Sequence, residues 1–260
     1  MSDLKQYIVA SFSGGKDSTA MVLKMIELGE HIDEVINVDT GMEFPPMYDH
    51  IERVRNVIES HGIKFTVLKG EHSFDWYLLN IEINGKNGIH HGYGWPTARF
   101  RWCTSFFKRT LVSKYLKELK QKYDVIQCIG LASDETDRLE REYNKNPKFR
   151  HPLADWGMTE ADCLRYCYDH GYDWDGLYEK FNRVSCWCCP LAPIGELYKL
   201  YRYYPELWTK LEKWDEKILA EGIGYGSVMF KGKHSVSDLT RRFEKRAKSE
   251  EQQSSLDRWL

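Results

Sequence analysis

The chain has 260 residues, a formal net charge of −2, 42% hydrophobic and 29% charged residues. That length buries a substantial core and fits one large domain or one domain with an appendage. The near-neutral balance excludes a polybasic coat for wrapping long nucleic acid, although not a local basic groove. No run approaches ~18 uninterrupted apolar residues, so no membrane span is expected. The start "MSDLKQYIV" has no basic start followed by a long apolar region, so no signal peptide is expected. The seven cysteines are an odd number in a chain too large to need disulfide stapling. They read as reduced thiols in a cytoplasmic protein, some of them metal ligands.

In chain order, "YIVASF" (7–12), "EVINVD" (34–39), "IKFTVL" (63–68) and "DVIQCIG" (124–130) read as buried strands. Between the first pair, Thr19, Val22, Leu23 and Ile26 recur at helical spacing and Gly29 ends the run. Between the second pair, Ile51, Val54, Val57 and Ile58 form a similar stripe closed by Gly62. Alternation of strand and helix predicts an α/β fold, a mostly parallel sheet wound on both faces. "NGKNGIHHGYGWP" (84–96) reads as a glycine-rich loop and a candidate substrate lid. Residues 104–122 read as a helix in which Lys108, Arg109, Lys114, Lys117, Lys120 and Lys122 form a basic face, usually no more than a solvated one.

After residue 131 the composition changes, with a helix capped by Thr159 and two helices meeting at Pro205. Residues 1–150 are expected to form a nucleotide-binding α/β domain. Residues 151–260 would be a helical, cysteine-containing extension packed on it as one unit, with a polar tail from Ser249 that frays.

"SFSGGKDSTA" (11–20) lies between the first strand and the first helix. A helix beginning there offers unpaired N–H groups and the positive end of its dipole to an anion. Gly14 and Gly15 let the backbone approach phosphate oxygens, Ser13, Ser18 and Thr19 add hydroxyls, and Lys16 adds charge. The spacing is not the G-x-x-x-x-G-K-S/T of the Walker loop.

"SGGKDS" resembles the pyrophosphate loop of the adenine nucleotide α-hydrolase superfamily, whose members cleave ATP between the α and β phosphates. Four further stretches resemble the phosphoadenosine phosphosulfate (PAPS) reductase family within it: "DTGMEFPPMYDHI" (39–51), "RWCTSFFK" (101–108), "GLASDETDR" (130–138) and "HPLADWGMTEADCLRYC" (151–167). The likeness covers roughly residues 6–200. It implies that Ser11, Ser13, Gly14, Gly15, Lys16, Asp17, Ser18, Asp39, Thr40 and Gly41 bind the nucleotide, ATP or PAPS. It assigns the chemistry to Lys16, Asp17, Asp39, Lys108 and Arg138, with Mg2+ accompanying the phosphates.

Cys186 and Cys189 in "CWCC" have the C-x-x-C spacing of metal ligands. Resemblance to the cluster-bearing adenylylsulfate reductases adds Cys103, with Thr104 where those enzymes have a second cysteine. Cys188 is a candidate fourth ligand. A four-iron four-sulfur cluster and a structural zinc are both open for Cys103, Cys186, Cys188 and Cys189. Cys128, Cys163 and Cys167 read as buried thiols.

No cysteine follows Cys189, so the late nucleophilic cysteine of the sulfonucleotide reductases is missing. The reading favoured by the sequence is an enzyme that adenylates an acceptor with ATP and passes sulfur to it. Nucleic acid is one candidate acceptor, with Trp95 and Trp102 as candidate stacking partners for its bases, and a sulfur-donor protein is a candidate partner. The alternatives are a PAPS or adenylylsulfate reductase using an external thiol, and a nucleotide-sensing subunit with structural zinc.

Overall fold

The computed structural model describes residues 4–85 and 88–256. In chain order the elements are β1 (Gln6–Phe12), α1 (Lys16–Glu27), β2 (Glu34–Asp39), α2 (Pro45–Ser60), β3 (Lys64–Lys69), α3 (Phe74–Leu79), β4 (Glu82–Gly85), β5 (Gly88–His91), a π-helical segment Thr104–Thr110, α4 (Leu111–Leu119), β6 (Asp124–Ile129), α5 (Thr136–Leu139), β7 (Phe149–Arg150), α6 (Pro152–Asp155), α7 (Glu160–Asp169), α8 (Leu177–Lys180), α9 (Ile194–Tyr203), α10 (Pro205–Glu221) and α11 (Val236–Leu256). Two compact units contain them, each discontinuous: Met1–Gly70 with Thr104–Glu179, and Glu71–Cys103 with Lys180–Leu260. The division predicted at residue 150 matches neither, because the chain leaves the sheet after β3 and returns to it before β6.

The first unit is α/β, with a five-stranded sheet in the order β3-β2-β1-β6-β7. Every pairing in it is parallel. β1 is central, Ala10 aligning with Val35 on one side and Cys128 on the other. A strand covered on both faces needs an apolar run, and Val9 and Ala10 are fully buried. One face carries α4, where Leu116, Val112, Tyr115 and Leu119 pack against Val9, Ile36 and Val125.

Alternation along β2 puts Glu34 on the same face as Ile36. Its fully buried carboxylate accepts hydrogen bonds from Lys64 Nζ (2.8 Å), Tyr115 Oη (2.5 Å), Tyr7 Oη (3.2 Å) and the Thr66 hydroxyl. Burial alone pushes this carboxyl up, but its donors, led by Lys64 and Thr66, bring it below the usual carboxylate range. Burial beside that carboxylate moves the Tyr7 phenol up to about 12.

In the second unit β4 and β5 form an antiparallel hairpin, Ile83 opposite His90. Within the predicted loop over 84–96, Asn84–Gly85 and Gly88–His91 are therefore strand, and Lys86 and Asn87 lie outside the described residues. Trp95 and Trp102 are buried, not offered to a base: Trp95 Nε1 donates to Asp215 Oδ1 (2.8 Å) and Trp102 Nε1 to the Gly94 carbonyl (3.1 Å). Trp95 meets Phe230 edge-on at 4.8 Å, and Trp102 lies 4.9 Å from Phe74. Pro205 starts α10, as its fixed φ suits a first helical turn. The tail expected to fray from Ser249 is helical through Leu256 within α11, Tyr198 Oη and Arg246 Nε bonding Glu250. The rest of that tail lies outside the described residues.

Glu34→Gln removes the charge that Lys64 and the two tyrosines satisfy. Urea denaturation should show a loss of about 1–3 kcal/mol, below the full cost of breaking a buried pair because the Lys64 ammonium reaches water.

Candidate nucleotide-binding site

Between β1 and α1 the chain runs Ser13-Gly14-Gly15. Gly14 has φ +79°, and a Cβ there would stand 2.7 Å from Met47 Sδ and 2.8 Å from Ile51 Cγ1 of α2. Conformation and space both demand glycine. Gly130, just past β6, presses on the other flank, where a Cβ would come within 3.1 Å of the Ser18 backbone.

Hydroxyls close the turn. The Ser13 amide donates to Ser18 Oγ (3.1 Å), and Ser18 Oγ donates to the Gly15 carbonyl (3.0 Å). Gly15 is the N-cap of α1 and brings no side-chain cap, so the first amides of the helix are not capped from within. The Lys16 amide instead donates to Tyr178 Oη (3.0 Å), and Trp174 Nε1 donates to the Gly14 carbonyl (2.8 Å). Trp174 and Asp175 hold positive φ of 53° and 52°, unusual for non-glycine residues.

The Lys16 ammonium reaches Asp17 (2.8 Å) and Glu160 (3.0 Å), two carboxylates for one cation. Burial pushes the Asp17 carboxyl up despite Lys16, with Glu160 adding to the rise. Burial works against the Lys16 charge, but Asp17 and Glu160 outweigh it and hold the ammonium above its ordinary value. Glu160 is set by a capping box in which Thr159 and Asp162 bond each other's backbone, and its amide donates to Asp134 Oδ1 (3.0 Å).

At the end of β2, Asp39 Oδ1 accepts from the Gly41 amide (2.8 Å) and Oδ2 from Lys69 Nζ (2.8 Å). Burial raises this carboxyl, but Lys69 and the Gly41 amide hold it below the usual range. Thr40 Oγ1 bonds Glu43 (3.3 Å) and accepts from the Met42 amide (3.2 Å). Three predicted residues stand differently. Ser11 Oγ accepts from Gln127 Nε2 (2.8 Å), Arg138 is tied to Glu135 on the exposed α5, and Lys108 lies on the exposed side of the π-helical segment.

The sequence profile of the phosphoadenosine phosphosulfate reductase domain matches residues 7–192. The chain belongs to that family. Two uncharacterized proteins of Methanocaldococcus jannaschii are similar to it, one 31% identical over 227 residues (84% of this chain, 42% of that protein), the other 32% identical over 212 residues (79% and 47%). The chain therefore spans less than half the length of these curated relatives. A solved structure, the U34-tRNA thiolase NcsA of Methanococcus maripaludis with its 4Fe-4S cluster, aligns with a TM-score of 0.43 at 17% identity, covering 93% of this chain and 73% of that one.

This PAPS reductase domain carries its candidate ligands Cys103, Cys186, Cys188 and Cys189 all in the second unit. Cys188 is buried and the other three are half-buried. The Cys189 amide donates to the Cys186 carbonyl (3.2 Å), so the C-x-x-C pair forms a turn. Among the described residues no three histidine, cysteine, aspartate or glutamate side chains gather as a metal shell. The four cysteines are thus not gathered into one metal shell among the described residues. Lys231, which the sequence did not single out, donates to the Pro190 (2.8 Å) and Ala192 (2.6 Å) carbonyls and pins this turn.

Cys163 and Cys167 lie on α7 in the first unit, and Cys167 Sγ donates to the Lys16 carbonyl (3.4 Å). Both are buried, and desolvation raises both thiols, Cys163 to about 12. They are packing groups, as is Cys128 in β6, raised by burial to about 11.

Tyr178, Trp174, His50 and Glu160 were also missed from sequence. Each stands far along the chain from the loop it touches, and only aromatic content hinted at two of them. His50 Nε2 bonds Thr19 Oγ1 (2.9 Å), its ring lies 4.3 Å from that of Trp174, and its buried Nδ1 has no partner among the described residues. Burial, helped by Arg53, lowers His50 to about 3. The folded state therefore holds His50 neutral while the unfolded chain protonates it near 6.5, and stability falls as pH drops through that value. Urea midpoints at pH 7 and pH 5 should show the parent losing about 2 kcal/mol more than His50→Gln, given ~1.4 kcal/mol per pH unit.

Proposed function

We propose that this domain binds ATP at the Ser13–Ser18 loop, that an acceptor oxygen attacks the α phosphate and releases pyrophosphate, and that an external sulfide then displaces AMP from the adenylated acceptor. The observation that carries the reading is topological. β1 pairs with β2 on one side and β6 on the other, so the connections leaving the central strands diverge there. Ligands of such sheets bind beyond the carboxyl ends of the strands at that switch point, and the Gly14-Gly15 turn stands there.

In this reading the loop amides, the Ser13 and Ser18 hydroxyls and the Lys16 ammonium take up charge on the departing pyrophosphate. Lys16 is delivered by exchanging its carboxylate partners for phosphate oxygens. Asp39, Thr40 and Gly41 flank the nucleotide from the end of β2. Magnesium bound to triphosphates needs only one or two protein carboxylates, and Asp39 offers one.

A reductase that attacks the sulfonucleotide with a cysteine of its own needs a reactive thiol near the nucleotide loop. No cysteine follows Cys189, and Cys163 and Cys167, the two placed on the helix beside α1, are buried with raised pKa values. Among the described residues, that favours ATP chemistry over reduction by a thiol of this chain, and the sulfite assay separates it from reduction by an external thiol.

The test compares pyrophosphate release from ATP, with total RNA and a sulfide donor present, against sulfite release from PAPS with a dithiol. Pyrophosphate should appear, and Lys16→Met should lower its rate by about 10²–10³, the usual cost of removing one charge-stabilising donor. Sulfite from PAPS without pyrophosphate from ATP would overturn the proposal in favour of the reductase.

A further inference from the structure

The segment Thr104–Leu119 turns one face to the sheet and the other to solvent. On the solvent side a shallow open groove of about 630 Å³ is lined by Ser105, Arg109, Thr110, Ser113, Lys114 and Lys117. These six fall into two rows at i, i+4 spacing, Ser105-Arg109-Ser113-Lys117 and Thr110-Lys114, so hydroxyl and cation alternate along each row.

None of the six side chains makes a hydrogen bond or ion pair among the described residues. Four other cations of this unit are neutralised by carboxylates: Lys64 by Glu34, Lys69 by Asp39, Lys148 by Asp124 and Arg150 by Glu30. Three unpaired cations so close together repel one another and cost stability. Leu116 and its neighbours anchor α4 to the sheet, so the groove is preformed on a rigid element.

We propose that this groove binds the sugar-phosphate backbone of a nucleic acid, through three cationic phosphate contacts interleaved with three neutral hydroxyl donors. Cations and hydroxyls together are the groups that hold phosphates in protein–nucleic acid contacts. The groove has no aromatic lining on which a base could stack, so it grips backbone without reading sequence. This deepens the reading above by naming the acceptor's class, and it can fail while ATP cleavage stands.

The test is fluorescence anisotropy with a labelled 20-nucleotide RNA across a salt series, beside calorimetry with ATP. Three phosphate contacts give a slope of log K against log[salt] near −2 for a single strand. The variant Arg109→Gln/Lys114→Gln/Lys117→Gln should flatten that slope towards zero and weaken RNA binding at least ~10-fold at low salt, with ATP binding and circular dichroism unchanged. Scrambling the RNA sequence should leave the affinity unchanged. RNA binding that survives in the variant, or absence of RNA binding by a protein that binds ATP, overturns the groove and leaves the nucleotide reading intact. A polyglutamate peptide that displaces RNA at equal charge concentration overturns it in favour of an acidic protein partner. Loss of ATP binding in the parent protein is the separate result that fails the nucleotide reading.

Discussion

The end of β1 is the constraint on which the first unit depends. A central parallel strand, buried on both faces, must leave the sheet within three residues and start a helix whose first amides lack an internal cap. Gly14 solves the steric part by lying against Met47 and Ile51 of α2, and Gly130 admits the start of α1 from the β6 side. The polar part is solved from far along the chain, Trp174 taking the Gly14 carbonyl and Tyr178 the Lys16 amide. The strained backbone at Trp174 and Asp175 follows from aiming both rings at one turn. A loop so held has its donors oriented before any ligand arrives, which is the condition for charge stabilisation without reorganisation.

Charge is arranged differently on the two sides of α4. Beneath it, Glu34 is buried only because four donors converge on it, and two of those come from the sheet's outer strand β3. Above it, cations and hydroxyls stand without counter-groups. A protein that satisfies one buried carboxylate so completely has the means to neutralise three surface cations, and Glu118 is the sole acid in α4.

Much of this was legible in the sequence because the signals were local. Parallel strands buried on both faces read as apolar runs, and "EVINVD" coincides with β2 residue for residue. The glycines of the first turn and the Thr159 cap are likewise set by near neighbours. What failed was set by tertiary context. Trp95 and Trp102 were candidate stacking partners for bases, yet core burial in the second unit claims them. The hairpin β4–β5 lacked alternation strong enough to betray it, its β5 strand being exposed throughout. Tyr178, Trp174 and Glu160 meet the loop across more than a hundred residues, beyond the reach of any spacing argument.

The discontinuity of the two units bears on how the chain acquires its shape during translation. Phe74, Trp95 and Trp102 belong to the early stretch of the second unit, while Trp187, Trp214 and Phe230 arrive with the late one. Trp95 and its partner Asp215 are separated by 120 positions. Until the ribosome has delivered that later stretch, three large rings emerge with no core to enter, while the strands of the first unit are already available to pair. Such long-range closure is slow, and exposed apolar rings in a half-made domain are where nascent chains associate wrongly. The vulnerable species in biogenesis is thus the finished sheet with its orphaned aromatic insert, and a holding chaperone would be expected to meet the polypeptide at residues 71–103.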